Sequence, residues 1–455
     1  MSAVRVRAGT STEMNKLLPD DCPAHKWYRF VLSFPPHLVR TYLQQFGVRR
    51  GQRVLDPFCG TGTTLVECKK LGIGSVGIEA NPMAHFSSEV KLDWRPDPDG
   101  LSEHAQSIAD KALAELRADG LDDEDVPFFA NGEKTGEPRR DSMLRRLPSD
   151  SQKLLLSDSI SPLPLHKTLI LLDWIRKRTD ERYHRHELLA LAKALVCSIS
   201  NLHFGPEVGV GPPKLDAPVV FGWLAEIDAI AADLRRLQRL PHVAAIVHHA
   251  DARRLQEFLR PASIDAVMTS PPYPNEKDYT RTTRLESVLL GLIRNKSELR
   301  ELKHRMVRSN TRGVYKGDND DQWVAGHPEI QRIAKAIEKR RIELGKTSGF
   351  ERLYPRVTKL YFGGMARHLG ELRSVLRRGA NLAYVVGDQA SYLRVMIRTG
   401  QLLGQIAQSL GYELLGIDLF RTRLATATKE QLREEVVLLR WRGKPLPSHS
   451  SSRSG

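Results

Sequence analysis

The sequence predicts an α/β fold, in which a mostly parallel sheet is finished by an antiparallel hairpin. Residues 53–79 have the pattern of a strand, a glycine-rich turn, a helix and a second strand that ends in an acid, which is typical of a nucleotide-type βαβ unit. Near the other end of the chain, the predicted order is helix, strand, helix and two further strands. This order indicates a parallel sheet with a hairpin at its edge.

The composition favours a polyanionic partner. At 455 residues, the chain is long enough for one large α/β domain with insertions, or for two to three domains. Its formal net charge is +15, and the basic excess is carried more by arginine than by lysine. Arginine favours bidentate contacts to phosphates and base edges, so a nucleic acid is the expected partner. An anionic membrane is the second choice.

Cysteine usage and apolar patterning indicate a soluble intracellular protein. Cys22, Cys59, Cys68 and Cys197 show no metal-ligand spacing, so no metal site is expected, and four scattered thiols fit a reducing compartment. The N-terminus lacks the apolar core of a signal peptide, and no run reaches the roughly 18 apolar residues of a membrane helix.

The elements of the N-terminal part of the sheet domain, 1–95, follow from this pattern. Residues 1 to about 20 are expected to be mobile. The predicted elements are a helix at 37–46, a strand at 53–55, a helix at 65–71 and a strand at 75–78. Helical periodicity then dominates residues 96–240, which predicts an α-helical insertion as a candidate lid or target-recognition region. Its helices are expected at 101–118, 166–178, 186–200 and 221–240, with a loop between 119 and 165.

The sheet resumes over residues 241–275. Residues 276–358 are the most basic part of the chain and are expected to form an irregular lobe that contacts the nucleic acid. The C-terminal part of the sheet domain is expected over 359–442, and the low-complexity tail, 443–455, is expected to be disordered. The strands and helices predicted here are strands at 243–247 and 264–268, a helix at 361–377, a strand at 380–386, a helix at 398–410, and strands at 412–420 and 435–441.

Three acids at successive strand ends indicate the ligand. Asp56 begins the glycine-rich turn, where a carboxylate suits a ligand ammonium group and would repel a pyrophosphate. Glu79 is placed to accept from the two hydroxyls of a ribose, and Asp251 from an adenine amino group, with Ala252 and Phe258 available for packing. An ammonium group, a ribose and an adenine together describe S-adenosylmethionine. The turn is not a P-loop, since no Gly-Lys-Ser/Thr follows it.

The segment Thr269-Ser270-Pro271-Pro272-Tyr273 indicates the site of chemistry. Two prolines at the end of a buried strand predict a stiff loop that offers carbonyl oxygens, a hydroxyl and an aromatic ring. The carbonyls and the Ser270 hydroxyl suit the hydrogens of an exocyclic amino group, and Tyr273 suits stacking on a planar base. Taken alone, the same pattern also fits a strand followed by a proline-rich turn.

DPFCGTGTT followed by GIEANP and then TSPPY resembles the amino-methyltransferases of DNA, and the SPPY variant is typical of those that act on cytosine N4. The resemblance covers about 25–95 and 241–442. It implies a Rossmann-like S-adenosylmethionine methyltransferase sheet, mostly parallel with an antiparallel last strand, that carries an α-helical insertion and a basic irregular insertion. Which insertion reads the target sequence stays open.

The resemblance also implies site residues. The implied catalytic residues are Ser270, Pro271, Pro272 and Tyr273. Those implied or indicated for S-adenosylmethionine are Asp56, Pro57, Phe58, Gly60, Thr61, Gly62, Glu79, Asn81, Asp251, Ala252, Ser33, Phe34 and Pro35. Those expected to contact DNA are Arg281, Arg305, Arg308 and Arg312. Asp278 and Tyr279 fit either the orientation of a flipped base or the packing of the loop.

Three functions remain as alternatives at this point. The first is a cytosine-N4 DNA methyltransferase, cytoplasmic and nucleoid-associated in a prokaryote, for which a cognate restriction enzyme is a further candidate partner. The second is the same chemistry on adenine N6 or on RNA guanine N2, where DPPY or NPPY is the more usual loop. The third is a non-catalytic nucleic-acid-binding protein. A cytosine-C5 enzyme is disfavoured, because the chain has no Pro-Cys pair.

Overall fold

The structure, a computed structural model, describes residues 17–28, 33–123, 144–204, 208–424 and 431–443. Most of the N-terminal segment that we expected to be mobile, part of the loop predicted over 119–165, and nearly all of the tail lie outside these residues. The domain boundaries stay a prediction.

The described residues form nine strands and fifteen α-helices. The strands are β1 (Arg53–Asp56), β2 (Gly74–Glu79), β3 (Leu202–Phe204), β4 (Val208–Val210), β5 (Ala245–His249), β6 (Ile264–Thr269), β7 (Leu376–Gly387), β8 (Tyr412–Leu424) and β9 (Gln431–Trp441). The helices are α1 (Cys22–His25), α2 (Pro36–Gln45), α3 (Thr63–Lys70), α4 (Pro82–Leu92), α5 (Pro98–Ala118), α6 (Ser149–Gln152), α7 (Pro162–Lys177), α8 (His184–Ala194), α9 (Val219–Leu237), α10 (Tyr279–Thr282), α11 (Arg284–Leu289), α12 (Lys296–Arg305), α13 (Pro328–Glu343), α14 (Gly349–Val375) and α15 (Thr399–Ser409).

A seven-stranded sheet organises the chain, in the order β5-β2-β1-β6-β7-β9-β8. The first five strands of that order are parallel, whereas β9 runs antiparallel to both β7 and β8. This arrangement confirms the predicted α/β class and its antiparallel hairpin. Because the carboxyl ends of parallel strands meet at one edge, the residues that end β1, β2, β5, β6 and β7 share that edge.

Helices cover both faces of the sheet. On β1, Val54 packs with α2 and α3, and its neighbour Leu55 packs with α14 and α15. Successive side chains of a strand point to opposite faces, so each of these strands is buried on both sides. The predicted helical insertion contains α5, α7, α8 and α9, which share one apolar core around Trp223.

The basic segment 276–358 is more regular than we expected. It contains α10 to α13 and the beginning of α14, which starts at Gly349 rather than near residue 361 and continues through Pro355. Ile330, Ile333 and Ile337 recur at helical spacing on α13 and pack into the core that covers the sheet. The segment therefore lies on the sheet domain, and its few apolar residues were enough to order it.

A close backbone contact fixes this segment on the sheet domain. A Cβ atom added at Gly363 of α14 would lie 1.9 Å from the carbonyl oxygen of Asp320, in the 3₁₀ segment Asp320–Val324. The Asp320 carboxylate is buried and forms ion pairs with Arg253 and Arg367. Only glycine fits at position 363, since any side chain would push the two backbones apart.

Candidate active site

A cavity of about 540 Å³ opens at the carboxyl edge of the sheet. It is bordered by the glycine-rich turn after β1, the ends of β2 and β5, the loop after β6, and the β8–β9 hairpin. The structure brings many of the predicted site residues together here. Those that line the cavity are Ser33, Phe34, Pro57, Phe58, Gly60, Thr61, Glu79, Asn81, Asp251, Ala252, Ser270, Pro271, Pro272, Tyr273 and Arg305. Those outside its lining are Pro35, Asp56, Gly62, Arg281, Arg308 and Arg312.

The glycine-rich turn depends on two left-handed residues. Gly60 has φ 52° and Gly62 has φ 85°, which side chains rarely adopt, and α3 begins at the next residue, Thr63. The Ser88 hydroxyl donates to the Gly60 carbonyl at 2.7 Å and supports the turn from α4. The backbone of the turn thus lines the cavity directly, at the start of a helix.

Glu79 ends β2 with its carboxylate at the cavity. Its two oxygens accept the backbone N–H groups of Gly60 and Asn81, each at 2.8 Å. Burial raises the pKa of this carboxyl to about 7, although the two N–H donors oppose the shift. Each carboxylate oxygen has a second lone pair, so Glu79 has the acceptor capacity that the two hydroxyls of a ribose require.

Asp56 has a different position from the one that the sequence suggested. Its side chain is fully buried, accepts from the Thr269 hydroxyl at 2.6 Å and from the Phe58 N–H at 3.1 Å, and does not line the cavity. Burial raises the pKa of this carboxyl to about 6. Within the part of the chain that the structure describes, its Oδ2 atom has no hydrogen-bond partner. The geometry indicates that Asp56 joins the turn after β1 to the end of β6.

Asp251 lines the cavity but is already paired. Both carboxylate oxygens accept from the Arg253 guanidinium, at 2.7 to 3.1 Å, and Arg253 is itself buried against Asp320. Phe258, which we expected to pack beside the ligand, is partly exposed and lies against His248 outside the cavity. Phe58 lies in the lining and contacts the His368 ring with a centroid distance of 4.9 Å. Phe58 and Ala252, rather than Phe258, therefore contribute the apolar surface of this part of the cavity.

The proline loop after β6 places its hydroxyl and its ring at the cavity. The Ser270 hydroxyl donates to the Val385 carbonyl of β7 at 3.0 Å. The Tyr273 ring lies against Gly387, where an added Cβ atom would be 3.0 Å from the Tyr273 Cε2 atom. The Asn275 N–H closes the loop by donating to the Tyr273 carbonyl at 2.8 Å. Gly387 at the end of β7 thus leaves the space that the Tyr273 ring occupies.

The β8–β9 hairpin adds a wall that the sequence did not predict. Phe420, Arg421 and Arg423 of β8 and Leu432 and Glu434 of β9 all line the cavity. These wall residues were not predicted, because a strand pattern in the sequence does not show which side chains turn toward a cavity when the pairing register shifts.

The predicted DNA-contact arginines divide into two groups. Arg305 and Arg312 are exposed, and neither guanidinium makes an ion pair with any described residue. Arg308 is buried, pairs with both oxygens of Asp318 at 2.8 Å, and donates to backbone carbonyls of its own loop. Arg281 is half-buried and lies outside the cavity lining. Arg305 and Arg312 are therefore available at the protein surface, whereas Arg308 lies in the interior of the basic segment.

Asp278 and Tyr279 occupy different positions in the structure, although the sequence allowed both residues the same two roles. The Asp278 carboxylate begins α10 by accepting from the Thr280 N–H, and it pairs with Lys303 at 3.1 Å. Tyr279 lines the cavity. Packing of the loop accounts for Asp278, whereas Tyr279 faces the site.

The described residues include no helix that is long and apolar enough to cross a membrane. Their His, Cys, Asp and Glu side chains form no cluster of three or more that could hold a metal ion.

The fold and the cavity together fit an S-adenosylmethionine-dependent methyltransferase. The donor set fits this cofactor, because Glu79 offers free lone pairs beside the exposed backbone of the glycine-rich turn, and Phe58 and Ala252 offer an apolar surface at the same cavity. The proline loop follows β6, the strand next to β1, and brings the Ser270 hydroxyl and the Tyr273 ring to the same cavity.

Comparison with known proteins identifies the group within that class. A family model described as DNA methylase, of the N6 and N4 amino-methyltransferases, matches residues 13–88. The chain is 26% identical over 443 residues to the type II methyltransferase M.BsoBI of Geobacillus stearothermophilus, which covers 91% of this chain and 84% of that protein. It is 24% identical over 425 residues to the type II methyltransferase M.AvaI of Nostoc sp., covering 86% and 80%. A shorter match, 33% identical over 90 residues, joins 20% of the chain to 23% of the tRNA (guanine(10)-N2)-dimethyltransferase of Methanothermobacter thermautotrophicus. The chain is thus similar to type II DNA methyltransferases over most of its length, and its N-terminal part matches a DNA methylase family model.

Proposed function

We propose that this protein methylates the exocyclic N4 amine of cytosine in DNA, at a base that is flipped out of the duplex. The observation that carries the proposal is the orientation of the Ser270 hydroxyl. A hydroxyl has one hydrogen, and Ser270 gives it to the Val385 carbonyl, so its oxygen is left as an acceptor. An acceptor suits the N–H of an amino group that must keep its nitrogen lone pair free for the methyl.

The proposed donor site lies at the glycine-rich turn. When bound, S-adenosylmethionine supplies an electrophilic methyl group on a sulfonium centre. We assign Glu79 to the ribose hydroxyls and the backbone of Gly60 and Thr61 to close contact with the ligand. Ser33 and Phe34 line the same cavity and are assigned to the methionine end. Asp56 positions the turn through its hydrogen bond with Thr269.

The proposed acceptor site lies at the proline loop. Tyr273 offers its ring to the flipped base, and stacking of one base is worth about 1–3 kcal/mol, enough to offset much of the unstacking cost. Pro271 offers its carbonyl oxygen as a second acceptor for the amino hydrogens. Transfer is then direct, because Cys59, which lines the cavity, has its pKa raised by burial and is a poor nucleophile.

The proposed DNA surface uses the basic lobe beside this cavity. Arg305 lies at the rim and Arg312 is exposed nearby in sequence, so both guanidinium groups are available to phosphates. Because the two long relatives are type II methyltransferases by name, we also propose a restriction–modification setting with a cognate endonuclease as partner.

One other acceptor has a specific observation in its favour. The 90-residue match to a tRNA guanine-N2 dimethyltransferase shows that a related segment occurs in an RNA enzyme. Guanine N2 and adenine N6 are both exocyclic amines, so the same direct chemistry would serve them. Ser270 in place of the more usual Asp or Asn is the feature that favours cytosine.

A nucleoside analysis distinguishes these acceptors. The protein is incubated with trideuteromethyl-labelled S-adenosylmethionine and either unmethylated bacterial DNA or total tRNA, and the digested nucleosides are separated by mass. Labelled N4-methylcytosine in the DNA sample is the expected product. Labelled N6-methyladenine in DNA, or N2-methylguanine in tRNA, would replace the proposal with the corresponding activity.

A further inference from the structure

A register shift in the β8–β9 hairpin brings two consecutive side chains of β8 to the cavity. Leu419 pairs with Glu435, but Arg421 pairs with Glu434, so Phe420 is an extra residue in β8. Such a bulge re-aims side chains, which is why both Phe420 and Arg421 line the cavity although neighbours on a regular strand point apart. Arg423 then falls on the same side as Arg421.

Glu434 holds these arginines beside the proline loop. Its carboxylate accepts from the Arg421 Nε at 2.6 Å, and its Oε1 atom lies 3.6 Å from the Arg423 Nε. A Cβ atom added at Gly387 would lie 3.0 Å from the Tyr273 ring and 3.4 Å from the Glu434 side chain. Gly387 therefore lies between this cluster and the Tyr273 ring that we assign to the flipped base, and it has contact with both.

The two arginines differ in how well they are satisfied. Arg421 has a hydrogen bond to Glu434, whereas the 3.6 Å contact of Arg423 is too long to be one. The Arg423 Nε atom is buried and makes no hydrogen bond with any residue in the described ranges, although its side chain as a whole is 40% exposed. A buried donor without an acceptor is costly, so such a group at a binding cavity points to an acceptor on the ligand.

We propose that Arg423 is a specificity-determining residue that reads the ring acceptors of the target base. This inference rests on the proposed cytosine-N4 activity and deepens it. Cytosine carries two adjacent acceptors, N3 and O2, next to its amino group, and a planar guanidinium matches such a pair with two parallel hydrogen bonds. Adenine carries N1 next to its amino group and then a carbon-bound hydrogen, so it offers only one acceptor at the same place.

The amino group and the acceptor edge of cytosine are then held by different parts of the site. Ser270 and Pro271 accept the amino hydrogens, and Arg423 donates to N3 and O2 from the facing hairpin. Glu434 and Arg421 act as positioning residues, since the carboxylate offsets one of the two positive charges and sets the direction of the Arg423 side chain. A base without two adjacent ring acceptors cannot form both hydrogen bonds with Arg423, even when its amino group reaches Ser270.

The test replaces one base acceptor and the arginine in turn. After the methylated site has been mapped with the wild-type protein, single-turnover rates are measured on duplexes with cytosine or 3-deazacytosine at the target. 3-Deazacytosine keeps the amine and O2 but has a carbon-bound hydrogen in place of N3. The enzymes are the wild type, Arg423→Gln, Arg423→Lys and the control Arg442→Gln. Arg442 is paired with Glu413 at the opposite end of the same hairpin.

We expect the rate of the wild type and of Arg442→Gln to fall about 10- to 100-fold more on 3-deazacytosine than the rate of Arg423→Gln falls. Arg423→Lys keeps the charge but not the fork, so it is expected to behave like Arg423→Gln. Comparing ratios removes the intrinsic difference in reactivity between the two bases. Retained binding of S-adenosylmethionine and an unchanged melting temperature would show that the variants are folded.

Two results would overturn the inference. If Arg423→Gln loses the same factor as the wild type on 3-deazacytosine, Arg423 does not contact the base, whatever its effect on the overall rate. If the mapping step yields N6-methyladenine from the wild type, the proposed function fails first, and the inference fails with it. These outcomes are distinguished by the product before any variant is compared.

Discussion

Replacing Ser270 by alanine separates the chemistry of this site from its binding of S-adenosylmethionine. The change removes one hydroxyl, which in the structure donates to Val385 and is left as an acceptor for the target amine. One neutral hydrogen bond is worth about 1 to 1.5 kcal/mol, and a loss of that size corresponds to a rate reduced about 5- to 12-fold. The Val385 carbonyl also loses its side-chain donor, so a small loss of stability is expected.

The assay is a single-turnover methylation of saturating DNA, measured beside the dissociation constant of S-adenosylmethionine by calorimetry. We expect the rate to fall about 10-fold while the dissociation constant changes less than the rate does, because Ser270 follows β6 and Glu79 ends β2, with β1 between these two strands. Ser409→Ala is the matched control, since its hydroxyl also donates to a backbone carbonyl but lies at the end of α15. A wild-type rate in Ser270→Ala, or a loss of rate explained by weaker cofactor binding, would refute the assignment.

Three further predictions concern the cofactor, the fold and the DNA surface. The pKa of Glu79 is raised to about 7 from an ordinary value near 4.5. In the free protein the Glu79 carboxyl is therefore protonated at a pH between these two values, and a ligand that needs the ionised carboxylate displaces this proton when it binds. Calorimetry at pH 6 in buffers of different ionisation enthalpy should show proton release by the wild type and less by Glu79→Gln, with the wild type's affinity rising toward pH 7. Gly363→Ala should destabilise the protein by about 3 kcal/mol, because its new methyl would meet a backbone carbonyl at 1.9 Å, whereas Gly349→Ala in the same helix meets nothing within 4 Å. Arg305→Ala and Arg312→Ala should each lower the slope of log affinity for DNA against log salt by about 0.9.

Each of these predictions has an outcome that contradicts it. Equal proton release by Glu79→Gln and the wild type would remove Glu79 from the ligand's partners. Equal melting temperatures for Gly363→Ala and Gly349→Ala would show that the packing of α14 on the 3₁₀ segment is looser than described. An unchanged salt slope in both arginine variants would place the phosphate contacts elsewhere.

The same linkage fixes the sign of a stability trend in the absence of ligand. Because the pKa of Glu79 is higher in the folded protein than in the unfolded chain, the folded state holds more protons between about pH 4.5 and 7. Stability from this group therefore falls as the pH rises through that window. Asp56 adds to the trend in the same direction, since burial raises the pKa of its carboxyl to about 6.

The sheet was predictable because its strands carry their signals locally. Short apolar runs that end in an acid or a proline predicted β1, β2 and β6, and all three lie in the sheet within one or two residues of the expected bounds. Helix α4, which begins at Pro82, was not predicted, because its buried face includes Ser87, Ser88 and Lys91 and so shows no clear apolar stripe. The early start of α14 was not predicted: the helix begins at Gly349 and continues through Pro355, a residue type that usually ends a helix, and its buried face runs from Val357 onward.

The position of the site was predictable, but the partners of its charged groups were not. A strand-end acid predicts a carboxylate near the cavity, and that holds for Glu79, yet Asp56 turns to Thr269 and Asp251 turns to Arg253. Arg308 was chosen for its basic neighbourhood, but its carboxylate partner is Asp318, ten residues away. Such pairings depend on the tertiary arrangement, which periodicity does not contain. The bulge in β8 that precedes Arg423 was not predictable for the same reason, since it depends on how β8 pairs with β9.

The most direct test of the account is to identify the atom that receives the methyl group. DNA labelled with ¹⁵N in the exocyclic amines of cytosine is methylated with S-adenosylmethionine carrying a ¹³C methyl group, and the released nucleosides are examined by nuclear magnetic resonance. The account predicts a one-bond coupling between ¹³C and ¹⁵N in a methylated cytidine. A ¹³C methyl group without that coupling, whether on adenine or on cytosine C5, would contradict it.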